Sequence, residues 1–508
     1  MRKHLLAIAF AVPLAACAGV PAPASTESGA QTERSAAQQA EFYLERIASL
    51  DDAGPQLNSV IATNPDAPAQ AAAAERAGLP LAGRTVLVKD NIETSELPTT
   101  AGSLALEANM TRRDAPLIAR LRTAGGVVLG KANLSEWANI RSRNSTSGWS
   151  AIGGLVRNPH AIDRNACGSS SGSAAAVAAR FAWAAIGTET DGSITCPASV
   201  NGVVALKPTV GLVSRTHVVP ISHAQDTAGP MARSVADVAL LLGAIAGSDP
   251  ADAVTAEADR HRTEYHSGLA DASLEGVRIG VMRNQVGERA DVTRLFEQAL
   301  ADLRRAGAVP VEIALDPQSE MYRDEFEVLL YELRTGMDAY LSSLPGTGLP
   351  GSLADLVAFN EAQAAVEMRW FGQDLFELAL TKTDEAAYRA ALENSRRLAG
   401  EEGIDRLLRE HDVAFLIAPT TGPAWASDLV NGDNFSGGIG MGSLAAIGGH
   451  PHLTVPMGQM EGLPVGVSVI GPRWADHAVL KAGAAYERAR TAPLAVPTFE
   501  RWLPPTTP

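Results

Sequence analysis

Lysine, cysteine and long apolar runs are scarce in this chain. Only six of its 508 residues are lysine, against 36 arginines, so each lysine invites a reason. Cys17, Cys167 and Cys196 are the only cysteines, too few for a disulfide framework. Cys167 and Cys196 are expected as free buried thiols, with pairing left open in an oxidising compartment. Past the N-terminus no stretch nears the roughly 18 uninterrupted apolar residues of a membrane span, so nothing else is expected to cross a bilayer. The formal net charge is −15, and such a surface repels phosphate backbones, which argues against a nucleic-acid partner. There is no internal repeat. No Ser-x-x-Lys occurs, which argues against the penicillin-binding class of serine enzymes.

What is present reads as a globular enzyme with an exported N-terminus. Residues are 46% hydrophobic and 19% charged, ample for a sizeable core. Arg2 and Lys3 precede an apolar run from Leu5 to Ala16, followed by Leu14-Ala15-Ala16-Cys17. Residues 1–17 resemble a bacterial lipoprotein signal in which Cys17 is lipidated and becomes the first mature residue. A plain secretory signal, with Cys17 incidental, is the alternative. Export to the periplasmic face as a membrane-anchored lipoprotein is the expected localisation. Residues 18–35, rich in Ala, Pro, Ser, Thr and Gly, read as a flexible tether.

A catalytic domain is expected over 36–495. A helical pattern runs from Ser35 towards Leu50. Strands are expected at Thr85–Lys89, Val127–Leu129, Val203–Leu206, Val277–Met282, Val309–Ile313, Ala414–Ile417 and Val465–Ile470, with helical runs between them such as Ala115–Thr123, Ser234–Gly247 and Asp291–Ala306. This alternation predicts an α/β fold around a mixed sheet with helices on both faces. Residues 320–397 hold helical patterns without a clear strand and read as a helical insertion, shaping substrate access or serving as structural padding.

Three segments carry chemistry. Lys89 ends an apolar strand, where burial lowers a lysine's pKa and a neutral amine can serve as a general base. The ordinary alternative is a strand-end lysine paired with Asp90. Cys167-Gly168-Ser169-Ser170-Ser171-Gly172-Ser173 leads into a small-residue helix whose N-terminus favours developing negative charge; a polar capping loop is the plainer reading. In Gly187-Thr188-Glu189-Thr190-Asp191-Gly192-Ser193 a serine follows a tight turn whose successive N–H groups can converge on an oxyanion.

Together these segments resemble the amidase-signature family. Ser193 follows Ser169 by 24 residues, the family's separation between bridging serine and nucleophile. Flanking phrases match too, among them Val88-Lys89-Asp90, Gly130-Lys131-Ala132-Asn133, Leu206-Lys207-Pro208-Thr209 and Asp226-Thr227-Ala228-Gly229-Pro230. The resemblance implies the amidase-signature fold and a relay in which Lys89, through a cis-peptide Ser169, activates Ser193. It implies an oxyanion hole of the backbone N–H groups of Thr190, Asp191, Gly192 and Ser193, with no metal or cofactor. The wording Thr190-Asp191-Gly192-Ser193-Ile194-Thr195-Cys196-Pro197 is most similar to bacterial peptide amidases, implying a small peptide amide as substrate.

This chain also departs from the family pattern. Cys167 replaces the first glycine of Gly-Gly-Ser, and Asp191 replaces the glycine two before the nucleophile. Thr195 stands where many members carry arginine, which removes a bidentate carboxylate clamp. Asp191 either points away from the oxyanion or meets a positive part of the substrate. Alternatives are an amidase of amino-acid, aryl or fatty amides, a tRNA amidotransferase glutaminase subunit (disfavoured by the exported N-terminus) or a non-catalytic peptide-binding relative. Two decoys nearly fit other chemistries, of which the second is discarded. Gly168-Ser169-Ser170-Ser171-Gly172 mimics a hydrolase elbow with Ser170 as nucleophile and His450 or His452 downstream. Gly125 to Lys131 mimics a P-loop, but a strand fills it and Ala132 replaces the hydroxyl residue.

Overall fold

The structure, a computed structural model, describes residues 34–315, 317–435 and 437–503. The signal segment and most of the tether therefore lie outside the described residues. The fold is built on eleven strands: β1 Val60–Thr63, β2 Thr85–Lys89, β3 Val127–Ala132, β4 Ala184–Glu189, β5 Val204–Lys207, β6 Thr227–Ala232, β7 Arg278–Met282, β8 Val309–Ile313, β9 Phe415–Pro419, β10 His452–Met460 and β11 Leu463–Ile470. They form one sheet in the order β1-β3-β2-β4-β6-β5-β10-β11-β9-β7-β8. The trios β3-β2-β4 and β9-β7-β8 are parallel and the remaining pairings antiparallel, so the sheet is mixed as expected.

Strand β2 shows how the two faces are filled. Val86 and Val88 join the cluster that holds Leu117, Leu241, Phe296 and Leu480 from the helices Pro116–Thr123, Val235–Ile245, Ala290–Arg305 and Asp476–Ala489. Leu87, between them, joins the opposite cluster with Ala174 and Val177 of the helix Ser171–Ala178. A side-chain period of two on a strand buried from both sides produces this division. At the N-terminus the helix Ala36–Arg46 starts with a Ser35–Gln38 capping box and continues as the π-turn Ile47–Asp51.

All seven expected strands are present within a few residues. Four more, β1, β4, β6 and β10, are not anticipated; β1 is a run of four residues, and composition explains the other three. β4 reads Ala-Ala-Ile-Gly-Thr-Glu and β6 contains Gly229 and Pro230, residues that normally mark turns. β10 carries Pro456 and Gly458 at a register shift. Close packing accounts for the small residues: a Cβ on Gly229 would stand 2.2 Å from the Leu206 carbonyl oxygen.

Between β8 and β9 the described chain is helical, with Ser319–Ser342, Leu353–Ala362, Asp374–Leu380 and Glu385–Arg396 as its main helices. Leu330, Leu333 and Met337 of the first helix pack with Ala101, Leu106 and Trp137, which anchors this region against the segment that follows β2. No helix among the described residues is long and apolar enough to cross a membrane.

The helix Ser171–Ala178 is closely packed by backbone on two sides. A Cβ on Gly172 would stand 2.2 Å from the Ser59 carbonyl oxygen and 2.5 Å from that of Asn133. Gly172→Ala is therefore expected to destabilise the protein by about 1–3 kcal/mol, read as a lower denaturant midpoint; an unchanged midpoint would contradict this packing.

Candidate active site

Lys89 ends β2 on the side shared with Leu87, towards the helix Ser171–Ala178. The residue is fully buried, and its amine lies 2.7 Å from Ser169 Oγ, 2.8 Å from Thr188 Oγ1 and 3.1 Å from the Thr188 carbonyl oxygen. Asn91 donates to the same Thr188 hydroxyl at 3.0 Å. The ordinary alternative of pairing with Asp90 is not realised. Lys131 stands 3.1 Å from Asp90, and that carboxylate also accepts the Thr100 N–H. Burial pushes the Lys89 amine down from its usual value to about 7, against the opposing influence of Asp226 and Glu189. A neutral amine fits the geometry: its lone pair can take the Ser169 proton while its two N–H groups go to Thr188.

Ser169 follows a cis Gly168–Ser169 peptide bond, the geometry the family resemblance implies. Its carbonyl accepts the Ser135 N–H at 3.0 Å. Next to it, the Ser170 N–H donates to the Ser193 carbonyl at 3.1 Å, tying the two serine-bearing segments together. Cys167 and Cys196 do not remain free thiols. They form a disulfide with Cα atoms 6.0 Å apart, correcting the sequence expectation. The reason is spatial: Cys167 precedes the Ser169 loop, Cys196 lies in the first turn of the helix Thr195–Val200, and the two segments pack side by side with Trp425 against them.

Ser193 sits on the turn between β4 and that helix, with Gly192 in the left-handed region at φ +78°. The Glu189 carboxylate ends β4 and accepts the N–H groups of Ile194 at 2.7 Å and Thr195 at 2.9 Å, holding the far side of the turn. Among the described residues, the backbone N–H groups of Asp191, Gly192 and Ser193 have no protein acceptor. Thr190 donates its hydroxyl to the half-buried Asp226. The Asp191 carboxylate accepts the Ser443 hydroxyl at 2.7 Å and adjoins the Glu325 carboxyl. No cluster of His, Cys, Asp and Glu among the described residues is arranged to hold a metal ion.

Comparison with known proteins decides the family. The family model described as Amidase matches residues 39–480. The chain belongs to the amidase-signature family. The amidase is 39% identical over 471 residues to a probable amidase of Arabidopsis thaliana, covering 89% of this chain and 86% of that one. It is 35% identical to a glutamyl-tRNA(Gln) amidotransferase chain of Symbiobacterium thermophilum, covering 90% of this chain and 94% of the relative. Among solved structures, the native peptide amidase from Stenotrophomonas maltophilia superposes with a TM-score of 0.87 at 48% identity, covering 92% of this chain and 96% of that one. A structure of the peptide amidase in complex with the competitive inhibitor chymostatin superposes with a TM-score of 0.88 at 48% identity and the same coverage. The protein is thus an enzyme that hydrolyses carbon–nitrogen bonds of amides.

In this amidase the decoys dissolve. Ser170 is fully buried and donates to the Thr188 carbonyl at 3.0 Å, while His452 stands 2.6 Å from Ser468 and His450 3.0 Å from Asp405. Several residues around the site escaped sequence reasoning: Thr188, Asn91, Glu189, Gln225, Glu325 and Ser443. Thr188 and Glu189 lie within the quoted motif, so their place beside Ser193 was visible but not their bonds. Nothing in the chain marks Ser443, 252 residues from its partner Asp191.

The bridge carries a prediction. Protein unfolded without reductant is expected to expose no thiol from Cys167 or Cys196 to a colorimetric reagent. Cys196→Ser is expected to cost about 2–4 kcal/mol of stability and to lower turnover, since the bridge braces both serine-bearing segments.

Proposed function

We propose that this chain is a serine amidase that hydrolyses the C-terminal amide of peptides to the peptide acid and ammonia, without cutting internal peptide bonds. The observation that carries the mechanism is the buried Lys89 amine 2.7 Å from Ser169 Oγ, on a segment hydrogen-bonded to that of Ser193. The peptide substrate is supported by the 48% identity to the Stenotrophomonas peptide amidase over nearly the whole chain.

In this reading neutral Lys89 takes a proton from Ser169, which takes one from Ser193 as the latter's oxygen attacks the amide carbon. The N–H groups of Thr190, Asp191, Gly192 and Ser193 face the developing oxyanion. The proton returns along the relay to the leaving nitrogen, the C–N bond breaks, and ammonia departs from an acyl-enzyme. Water then gives its proton to the relay, attacks the ester and frees the acid and Ser193. Each oxyanion donor is worth roughly 10²–10³ in turnover. We also propose that the enzyme is exported and anchored through lipidated Cys17; loss of membrane retention in Cys17→Ala tests this.

The decisive assay is ammonia release from a C-terminally amidated dipeptide. Ser193→Ala and Lys89→Met are each expected to lower it by more than about 10³-fold, with the peptide bond intact throughout. Ammonia from simple amides but not from the amidated peptide would point to another amide class. Because only the unprotonated amine accepts a proton, activity is expected to rise with pH through an ionisation near about 7. A profile flat across neutral pH would remove Lys89 as the base.

A further inference from the structure

The turn that precedes Ser193 is gripped from three distant parts of the chain. Ser443, in the helix Gly442–Ile447, donates to Asp191 at 2.7 Å. Gln225 uses its side-chain amide twice, donating to the Thr190 carbonyl at 3.2 Å and to Glu325 Oε1 at 2.9 Å. Glu325, in the helix Ser319–Ser342 and 6% exposed, sets its carboxyl beside that of Asp191.

Two carboxylates are acceptors only, so a hydrogen bond between them requires one proton. The neighbouring donors do not supply it, because Ser443 and Gln225 are committed to their own acceptors. The other ionisable groups facing the pair are Glu189 from the end of β4, Lys207 from the end of β5 and Tyr322 from the helix of Glu325. Glu189 opposes ionisation of Asp191, whereas Lys207 favours it.

We propose that Glu325 is a positioning residue for the amidase reaction: its carboxyl and that of Asp191 hold one proton between them, and this shared proton fixes the oxyanion turn and keeps a second negative charge away from it. The inference rests on the proposed oxyanion hole, in which the Asp191 N–H faces the substrate oxygen. A negative oxygen forms there during reaction, and a doubly ionised pair beside it would oppose that charge. Burial raises both carboxyls, Asp191 to about 6 with Glu189 adding to the rise, and the charge of Asp191 lifts Glu325 further above its ordinary range. Both shifts favour retention of a proton on the pair. Raising the pH removes it, so turnover should fall on the alkaline side after rising through the Lys89 ionisation.

The test compares pH profiles of kcat for the amidated dipeptide. Wild type is expected to give a bell. Glu325→Ala, which opens the circuit, is expected to lose on the order of 10–10²-fold in kcat with a smaller change in KM, less than the removal of an oxyanion donor. Glu325→Gln preserves the circuit, its amide donating to Asp191 and its oxygen accepting from Gln225, and carries the same net charge as the singly protonated pair. It is expected to regain most of that turnover and to lose the alkaline limb. An alkaline limb unchanged in Glu325→Gln, or wild-type turnover in Glu325→Ala, would overturn the proposal. A second readout needs no substrate: the protonated-carboxyl infrared band at neutral pH is expected in wild type and diminished in Glu325→Gln, and an identical band would also overturn it. Ammonia release that survives Ser193→Ala would instead sink the relay reading, leaving the infrared comparison to decide the pair.

Discussion

Much of this molecule is organised by the cost of burying the Lys89 amine. A charged ammonium is poorly tolerated without water, so full burial favours the neutral form that a proton acceptor needs. The surroundings keep that effect from being cancelled. Asp90, the adjacent carboxylate in sequence, is engaged by Lys131, and the groups that touch Lys89 are a serine hydroxyl, a threonine hydroxyl and a carbonyl. Asp226 and Glu189 pull the other way through space, and desolvation outweighs them.

The position of that amine follows from strand geometry. β2 and β4 run parallel and side by side, so Lys89 and the Thr188–Glu189 end of β4 arrive at the same edge of the sheet. The helix Ser171–Ala178 lies on the Leu87 face of this pair, and its small residues let it approach closely; a Cβ on Gly187 would stand 2.7 Å from Ser170 Oγ. Ser169 therefore emerges beside Lys89, on a segment braced to that of Ser193 by the Ser170–Ser193 hydrogen bond and the Cys167–Cys196 bridge.

The helical region between β8 and β9 is hydrogen-bonded to the candidate site rather than merely packed beside it. Glu325 accepts the Gln225 amide, which also donates to the Thr190 carbonyl, and Glu332, further along the same helix, accepts the Ala224 N–H at 2.9 Å, next to Gln225. A segment whose sequence reads only as amphipathic helix thus supplies polar contacts on one flank of the site. The other flank comes from the C-terminal part of the chain through Ser443.

Local chemistry made part of this legible in advance. The strand ending on Lys89, the glycine- and serine-rich loop and the turn before Ser193 are contiguous motifs, and it is their resemblance to the amidase-signature family that implies a lysine base and two serines. The seven strands with branched apolar residues could be read in the same way. Strands β4, β6 and β10 could not, because their glycines and prolines serve close backbone approach, which is a property of the neighbours and not of the segment. The cysteine pairing, the diversion of Asp90 to Lys131 and the circuit of Asp191, Glu325, Gln225 and Ser443 were decided only by the tertiary structure. Each depends on distances between residues far apart in the chain, and a sequence read locally contains the groups but not the separations that let one proton or one bond be shared between them.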